Sequence, residues 1–133
     1  MNKLTGKIVL IESSQHMSMV DIDVLGDVFS SIVLETPATA SYLKTGNSVN
    51  LLFKETEVSI GKNLSGLISL RNRFQGTIKR IEQSDILSKV YIDYQSHKII
   101  SIISTRSTQK LGLVAGDHIE WLVKTNEVSL CSR

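Results

Sequence analysis

The chain repeats itself. Shifted by 70 positions without a gap, Gly6 falls on Gly76, Ile11 and Glu12 on Ile81 and Glu82, Ile22 and Asp23 on Ile92 and Asp93, and Ser31 and Ile32 on Ser101 and Ile102. The match continues through Leu43 and Leu113, Gly46 and Gly116, and Lys54 and Lys124, to Glu57-Val58-Ser59 on Glu127-Val128-Ser129. Such a repeat constrains architecture before any residue is given a role, because one supersecondary unit is used twice. Each unit, roughly 65 to 70 residues, sits near the lower limit for folding alone, so the two should lean on each other or on other chains. The expected units are residues 1–62 and 67–133, joined at 63–66. The surrounding GKNLSG segment, Gly61 to Gly66, is too short to let them tumble independently.

Composition narrows the function classes. Hydrophobic residues make up 41% of the chain, enough for a compact core in each unit, and the low aromatic share of 5% predicts aliphatic strands packed on aliphatic strands. The formal charge is +2 with acids and bases interspersed and no basic block, which argues against a broad nucleic-acid footprint and leaves room for a small anion. A single cysteine, Cys131, cannot form an internal disulfide, and the apolar run Ile8 to Ile11 is too short for a signal-peptide core or a membrane span. A soluble cytoplasmic protein is the expectation.

Both units carry a strand-rich pattern. In the first, strands are expected at Lys7 to Glu12, Met19 to Leu25, Phe29 to Leu34, Val49 to Phe53 and Glu57 to Ile60; Val20, Ile22 and Val24 alternate with Asp21 and Asp23, which read as a solvated face. The second repeats this at Gly76 to Ile81, Lys89 to Tyr94, Lys98 to Ser104, His118 to Val123 and Glu127 to Cys131. About two helical turns are expected after the third strand of each unit, capped by Thr36 ahead of Pro37 in the first and by Ser107 ahead of Thr108 to Leu113 in the second. Five short strands with a small helix after the third indicate an all-β chain of two tandem OB-like five-stranded Greek-key barrels, each with one short helix. A Greek-key sandwich is the alternative.

The units differ where the second one begins. Ser69-Leu70-Arg71-Asn72 sets a hydroxyl, a guanidinium and an amide within four residues where loop becomes strand, with Ser69 and Arg71 on one side in extended geometry. The first unit enters the equivalent place at Asn2, Leu4 and Gly6, so it lacks this serine and arginine. Late in each unit an otherwise apolar strand carries a lysine, Lys54 or Lys124, followed by Glu55 in the first unit and Thr125 in the second. One or two fixed cations with several neutral donors suit a tetrahedral dianion. The competing reading is structural: an edge-strand lysine discourages strand pairing, and an Arg-Asn pair in a linker is usually solvated. His16, His97 and His118 have no metal-ligand spacing, and Trp121 reads as core or interface. No nucleophile elbow, phosphate-cradling glycine loop or helical HExxH motif is present, so an enzyme is not expected.

The runs SLRNRFQGTIKRIE, IISIISTRSTQKLGLVAGD and WLVKTNEVSL resemble the Mop repeat of molybdate-binding proteins, a TOBE-like module. That repeat opens with Ser-Ala-Arg-Asn before a strand glycine. It later has a Thr-x-x-Ser segment, a Leu-Gly-Leu-x-x-Gly turn and an Ile-Lys-Ala/Ser strand. The second unit matches along its length, departing mainly at Leu70 for Ala and Ser104 for Thr. The first matches in its strands and in Gly6, Gly46 and Lys54. Two such repeats resemble the di-Mop molbindins, small cytoplasmic proteins that store or buffer molybdate.

The resemblance implies an OB-like barrel per repeat, a strand exchanged between repeats or chains, and oxyanion sites at interfaces in a homo-oligomer, trimer or dimer. It implies molybdate, with tungstate as the alternative, held by Ser69, the backbone N–H of Leu70, Arg71, Lys124 and Thr125, with Ser104 a neighbour. Lys54 is the first unit's counterpart in register, and Glu55 beside it would repel a dianion. The other functions weighed are the ligand-sensing module of a molybdate-responsive transcription regulator and a nucleic-acid-binding tandem OB-fold. The first would need another chain or a further domain to touch DNA. The second would need a basic groove with exposed aromatics. Neither membrane association nor direct nucleic-acid binding is expected.

Overall fold

The computed structural model describes all 133 residues. The first unit contributes β1 (Asn2–Ser14), β2 (Met17–Val24), β3 (Asp27–Val33), β4 (Ser48–Phe53) and β5 (Val58–Gly61). The second contributes β6 (Asn72–Gln83), β7 (Leu87–Tyr94), β8 (His97–Ser104), β9 (His118–Val123) and β10 (Ser129–Ser132). The first strand of each unit extends well beyond the expected apolar run at both ends, because its N-terminal half pairs with the fourth strand and its C-terminal half with the second. A bulge between Ile8 and Leu10, repeated between Ile78 and Arg80, bends the strand where it changes partner. The turn glycine shared by the units lies next to it. Gly46 at φ +93° and Gly116 at φ +94° send their N–H groups back to the carbonyls of Ile8 and Ile78, in a left-handed conformation that a side chain would strain.

The strand order is β10-β4-β1-β2-β3 in one sheet and β5-β9-β6-β7-β8 in the other. Four strands of each barrel come from one unit and the fifth from the other. The registers are equivalent, Ser59 opposite Leu122 and Ser129 opposite Leu52, so the exchange is reciprocal. Matching bonds close each barrel: Ser31 Oγ donates to the carbonyl of Val128 at 2.5 Å, and Ser101 Oγ to that of Val58 at 2.6 Å. Lys62, just past β5, donates to Asp117 at 3.1 Å and to the carbonyl of Gly112 at 3.0 Å. The Val114 N–H and then Lys62 hold the Asp117 carboxyl below the ordinary carboxylate range.

The units share one core. Twenty-three buried apolar residues form a single cluster drawn from both. The expectation of aliphatic packing throughout is corrected at the junction, where Phe29 and Phe53 meet Phe74, Tyr94 and Trp121. Phe29 stacks on Phe74 at 4.0 Å between centroids, and Phe53 on Trp121 at 5.8 Å. Large rings fill the wider gap between two curved sheets better than aliphatic chains do.

The helical segments also differ from expectation. In the second unit α1 (Thr105–Lys110) starts three residues early and is capped by Ser104, whose Oγ accepts from the Ser107 N–H at 3.1 Å. In the first unit the Thr36 carbonyl closes a single turn with the N–H groups of Thr39 and Ala40. A 3-10 turn follows the fourth strand of each unit, Glu55–Glu57 and Thr125–Glu127. No helix is long and apolar enough to cross a membrane.

Candidate functional site

The start of β6 is held by the other unit. Asn72 is fully buried; its Nδ2 donates to the Ser30 carbonyl at 2.8 Å and its Oδ1 accepts from the Ser30 N–H at 2.7 Å. Asn2 makes the same two bonds to Ile100, both at 2.8 Å. Each asparagine therefore clamps the edge strand of the opposite unit, and the Asn of the SLRN motif is a structural residue. Its bonds fix the direction in which Arg71, one residue earlier, leaves the strand.

Arg71 lies over β2 and β3 of the first unit. Its Nε donates to Ser30 Oγ at 2.7 Å, Ser30 Oγ donates to Asp21 Oδ1 at 2.7 Å, and Arg71 Nη2 is 3.8 Å from Asp21 Oδ2. The Arg71 side chain remains 58% exposed, whereas that of Asp21 is 13% exposed. Nε is thus committed to Ser30, while Nη2 lies loosely against Asp21 and Nη1 makes no bond within the chain. Arg73, two residues on, is unavailable: it grips Glu120 through two bonds of 2.7 and 3.0 Å and also reaches the Gly66 carbonyl.

Strand register brings Lys124 to the same barrel end as Arg71. Asn72 pairs with Val123 as the last rung of the ladder, so Arg71 and Lys124 are the next residues along the two strands, and Thr125 opens a 3-10 turn just beyond. Lys124 is exposed and extended (φ −68°, ψ 143°), and its carbonyl starts the 3-10 turn containing Thr125. Val58 pairs with Val123 on the other side, which sets Glu57 of the first unit across from Lys124. The fold therefore brings Arg71, Lys124, Leu70 and Thr125 to one end of the second barrel, with exposed Ser69 just before them.

Two predicted positions lie elsewhere. Ser104 pairs with Leu87 at the far end of β7, near the turn that leaves β6, so one chain does not bring it to Arg71. It caps α1 and lines an open cavity of about 340 Å³ with Asp85, Ile86 and Arg106. Lys54 lies at the corresponding end of the first barrel, where a cavity of about 220 Å³ is lined by Met1, Lys54, Asn126, Glu127 and Ser129. Glu55 beside it lies 3.4 Å from the Met1 amino group.

Ser30 and Asp21 are the residues that sequence reasoning missed. Asp21 is not a freely solvated face residue, because Arg71 covers it and Ser30 donates to it. The signal lay in the repeat: Asp21 and Ser30 align with Tyr91 and Ile100, polar only in the unit that receives Arg71.

A family model described as the TOBE domain matches residues 68–130, the unit with the intact opening motif. Over 87 residues, 65% of this chain, the sequence is 31% identical to the molybdenum import ATP-binding protein ModC of Brucella abortus (strain 2308) and to that of Brucella suis biovar 1 (strain 1330). The match spans 24% of the length of those relatives. The solved structure of the cytoplasmic molybdate-binding protein ModG, in a PEG-grown form with molybdate bound, superposes with a TM-score of 0.92 at 26% identity, over 99% of this chain and 96% of that one. A molybdate-binding protein from Sporomusa ovata matches 50% of this chain with all of its own length, at 31% identity and a TM-score of 0.50. A whole-chain match to one structure and a half-chain match to another is what an internal duplication produces. Residues 68–130 belong to the TOBE-domain family, and the chain as a whole has the two-unit fold of ModG, its first unit repeating the second.

Proposed function

We propose that the protein binds molybdate, and tungstate as its near-equivalent in size and charge, as a cytoplasmic store and buffer of the oxyanion. The observation that carries this reading is the placing of Arg71 and Lys124 at one barrel end, with Arg71 anchored to Ser30 through Nε and its Nη2 held only loosely, 3.8 Å from Asp21. Two cations offset the desolvation of a dianion, while Ser69, Thr125 and the Leu70 N–H supply neutral donors for the remaining oxygens. The likeness to ModG and to the Sporomusa ovata protein supports the choice of anion.

The chemistry is binding without turnover. Ser104, remote from Arg71 within one chain, joins the site from a second copy, in a homo-oligomer whose assembly and anion binding reinforce each other. The first unit offers Lys54 with Glu55 beside it, so it contributes a weaker site or none.

Isothermal titration with sodium molybdate tests the assignment. Arg71→Ala and Lys124→Ala should each weaken binding at least tenfold, with the far-ultraviolet spectrum unchanged. Wild-type affinity in both variants would overturn it.

A further inference from the structure

We propose that Asp21, in the first unit, is the internal counter-ion of Arg71 and sets the affinity of the oxyanion site: it holds the guanidinium when the site is empty and opposes the dianion when it is filled. The inference rests on the molybdate-binding reading above and adds to it a residue that the sequence motif does not contain.

The geometry is a directed chain of hydrogen bonds. A serine hydroxyl has one proton; Ser30 gives it to Asp21 Oδ1 at 2.7 Å and so accepts the Nε–H of Arg71, also at 2.7 Å. Ser30 is itself fixed, 1% exposed and held at its N–H and carbonyl by Asn72. The guanidinium is therefore oriented by groups that cannot swing away. Its remaining contact to Asp21, Nη2 to Oδ2, is loose at 3.8 Å and lies at a solvent-exposed group, so an arriving anion displaces it at little cost. The carboxylate stays where it is, and its charge then acts on the bound ligand.

The arrangement occurs once in the chain. At the equivalent positions the second unit carries Tyr91 and Ile100, which cannot form this chain of bonds. The two units have thus diverged in a coupled way: the unit that supplies the arginine faces the unit that supplies its counter-ion.

The test uses the full chain at low ionic strength, titrated with molybdate, a tetrahedral dianion, and with perrhenate, a tetrahedral monoanion. A carboxylate roughly 7 Å from a dianion, under nearly aqueous screening, weakens binding by about fivefold, and by about twofold for a monoanion. Asp21→Asn should therefore tighten molybdate by about fivefold and perrhenate by about twofold; Asp21→Ser, a second neutral variant, should do the same. A purely structural role would change both anions by the same factor. Unchanged or weaker molybdate binding in both variants, or equal factors for the two anions, overturns the proposal. If Arg71→Ala and Lys124→Ala bind molybdate as wild type does, the site reading itself has failed; if they weaken it and the Asp21 variants do not tighten it, only the role of Asp21 has failed.

Discussion

Asn72 gives the sharpest stability prediction, because its side chain does one thing and is completely enclosed. Truncation to alanine removes two hydrogen bonds of 2.7 and 2.8 Å and leaves the N–H and carbonyl of Ser30 without partners. Each buried backbone group left unpaired costs about 1–3 kcal/mol, so Asn72→Ala should lose about 2–6 kcal/mol. For a chain of this size that corresponds to a fall in Tm of about 10 °C. Asn2→Ala is the internal control. It removes the same pair of bonds, but Ile100 is only part-buried, so water can replace them and the loss should stay below about 2 kcal/mol. Asn72→Asp keeps the acceptor but points a carboxylate at the Ser30 carbonyl, and should cost at least as much as the truncation. Urea unfolding followed by tryptophan emission reads all three, since Trp121 is the only tryptophan, is fully buried and stacks on Phe53 of the other unit. A loss below 1 kcal/mol for Asn72→Ala, or a larger loss for Asn2→Ala, would refute the clamp.

Two further predictions concern packing and pH. A Cβ on Gly6 would collide with the backbone oxygen of Asp23 and sit 2.7 Å from Ile22 Cγ2, whereas on Gly76 the nearest atoms are Ile92 Cγ2 at 2.6 Å and Trp121 Cδ1 at 3.2 Å. Since a strand carbonyl cannot move aside, Gly6→Ala should cost about 3 kcal/mol or more and Gly76→Ala less, as measured by urea unfolding; the reverse order would show that the side chains are the stiffer neighbours. Burial, followed by hydrogen bonds to Glu35 and Asp27, raises the phenols of Tyr42 and Tyr94 above their ordinary value. The unfolded phenols lose their protons near about pH 10 while the folded ones keep theirs, so the folded state binds more protons and stability falls as pH rises through that value. Unfolding free energy should drop between pH 9 and 11, less so in Tyr94→Phe, and a flat profile would contradict the assignment.

The repeat made the fold legible, since one gapless offset gave the strand count, the two barrels and the turn glycines. It could not say which barrel the fifth strand joins, because β5 and β10 have equivalent sequences and fit either partner. Sequence position placed Arg71, and the ladder ending at Asn72 and Val123 brings Lys124 to the same barrel end, but Ser104 was grouped with them only by motif and lies at the far end of β7. Asp21 was read as solvated because alternation along a strand shows which side a residue faces but not what covers that side. Comparing the units at positions where they disagree, rather than where they match, would have singled out Asp21 and Ser30.

The reciprocal exchange bears directly on what half the chain can do. A fragment of residues 62–133 keeps β6 to β10 but loses β5, the partner of β9, and β4, the partner of β10. It therefore carries an unpaired strand and an unpaired edge that match one another in register, since Ser129 and Ser59 occupy equivalent places on Leu52 and Leu122. Within one barrel β10 does not reach its own β9, so two fragments should exchange it and fold as a dimer, with a urea midpoint that rises with protein concentration. A folded monomer with a concentration-independent midpoint, seen by sedimentation equilibrium, would show that β10 can turn back onto its own unit. In the dimer Arg71 would face Tyr91 and Ile100 of the partner in place of Asp21 and Ser30. The strands would be complete while the guanidinium had lost its anchor, so the fragment separates the fold, which either repeat can complete, from the orientation of Arg71, which needs both.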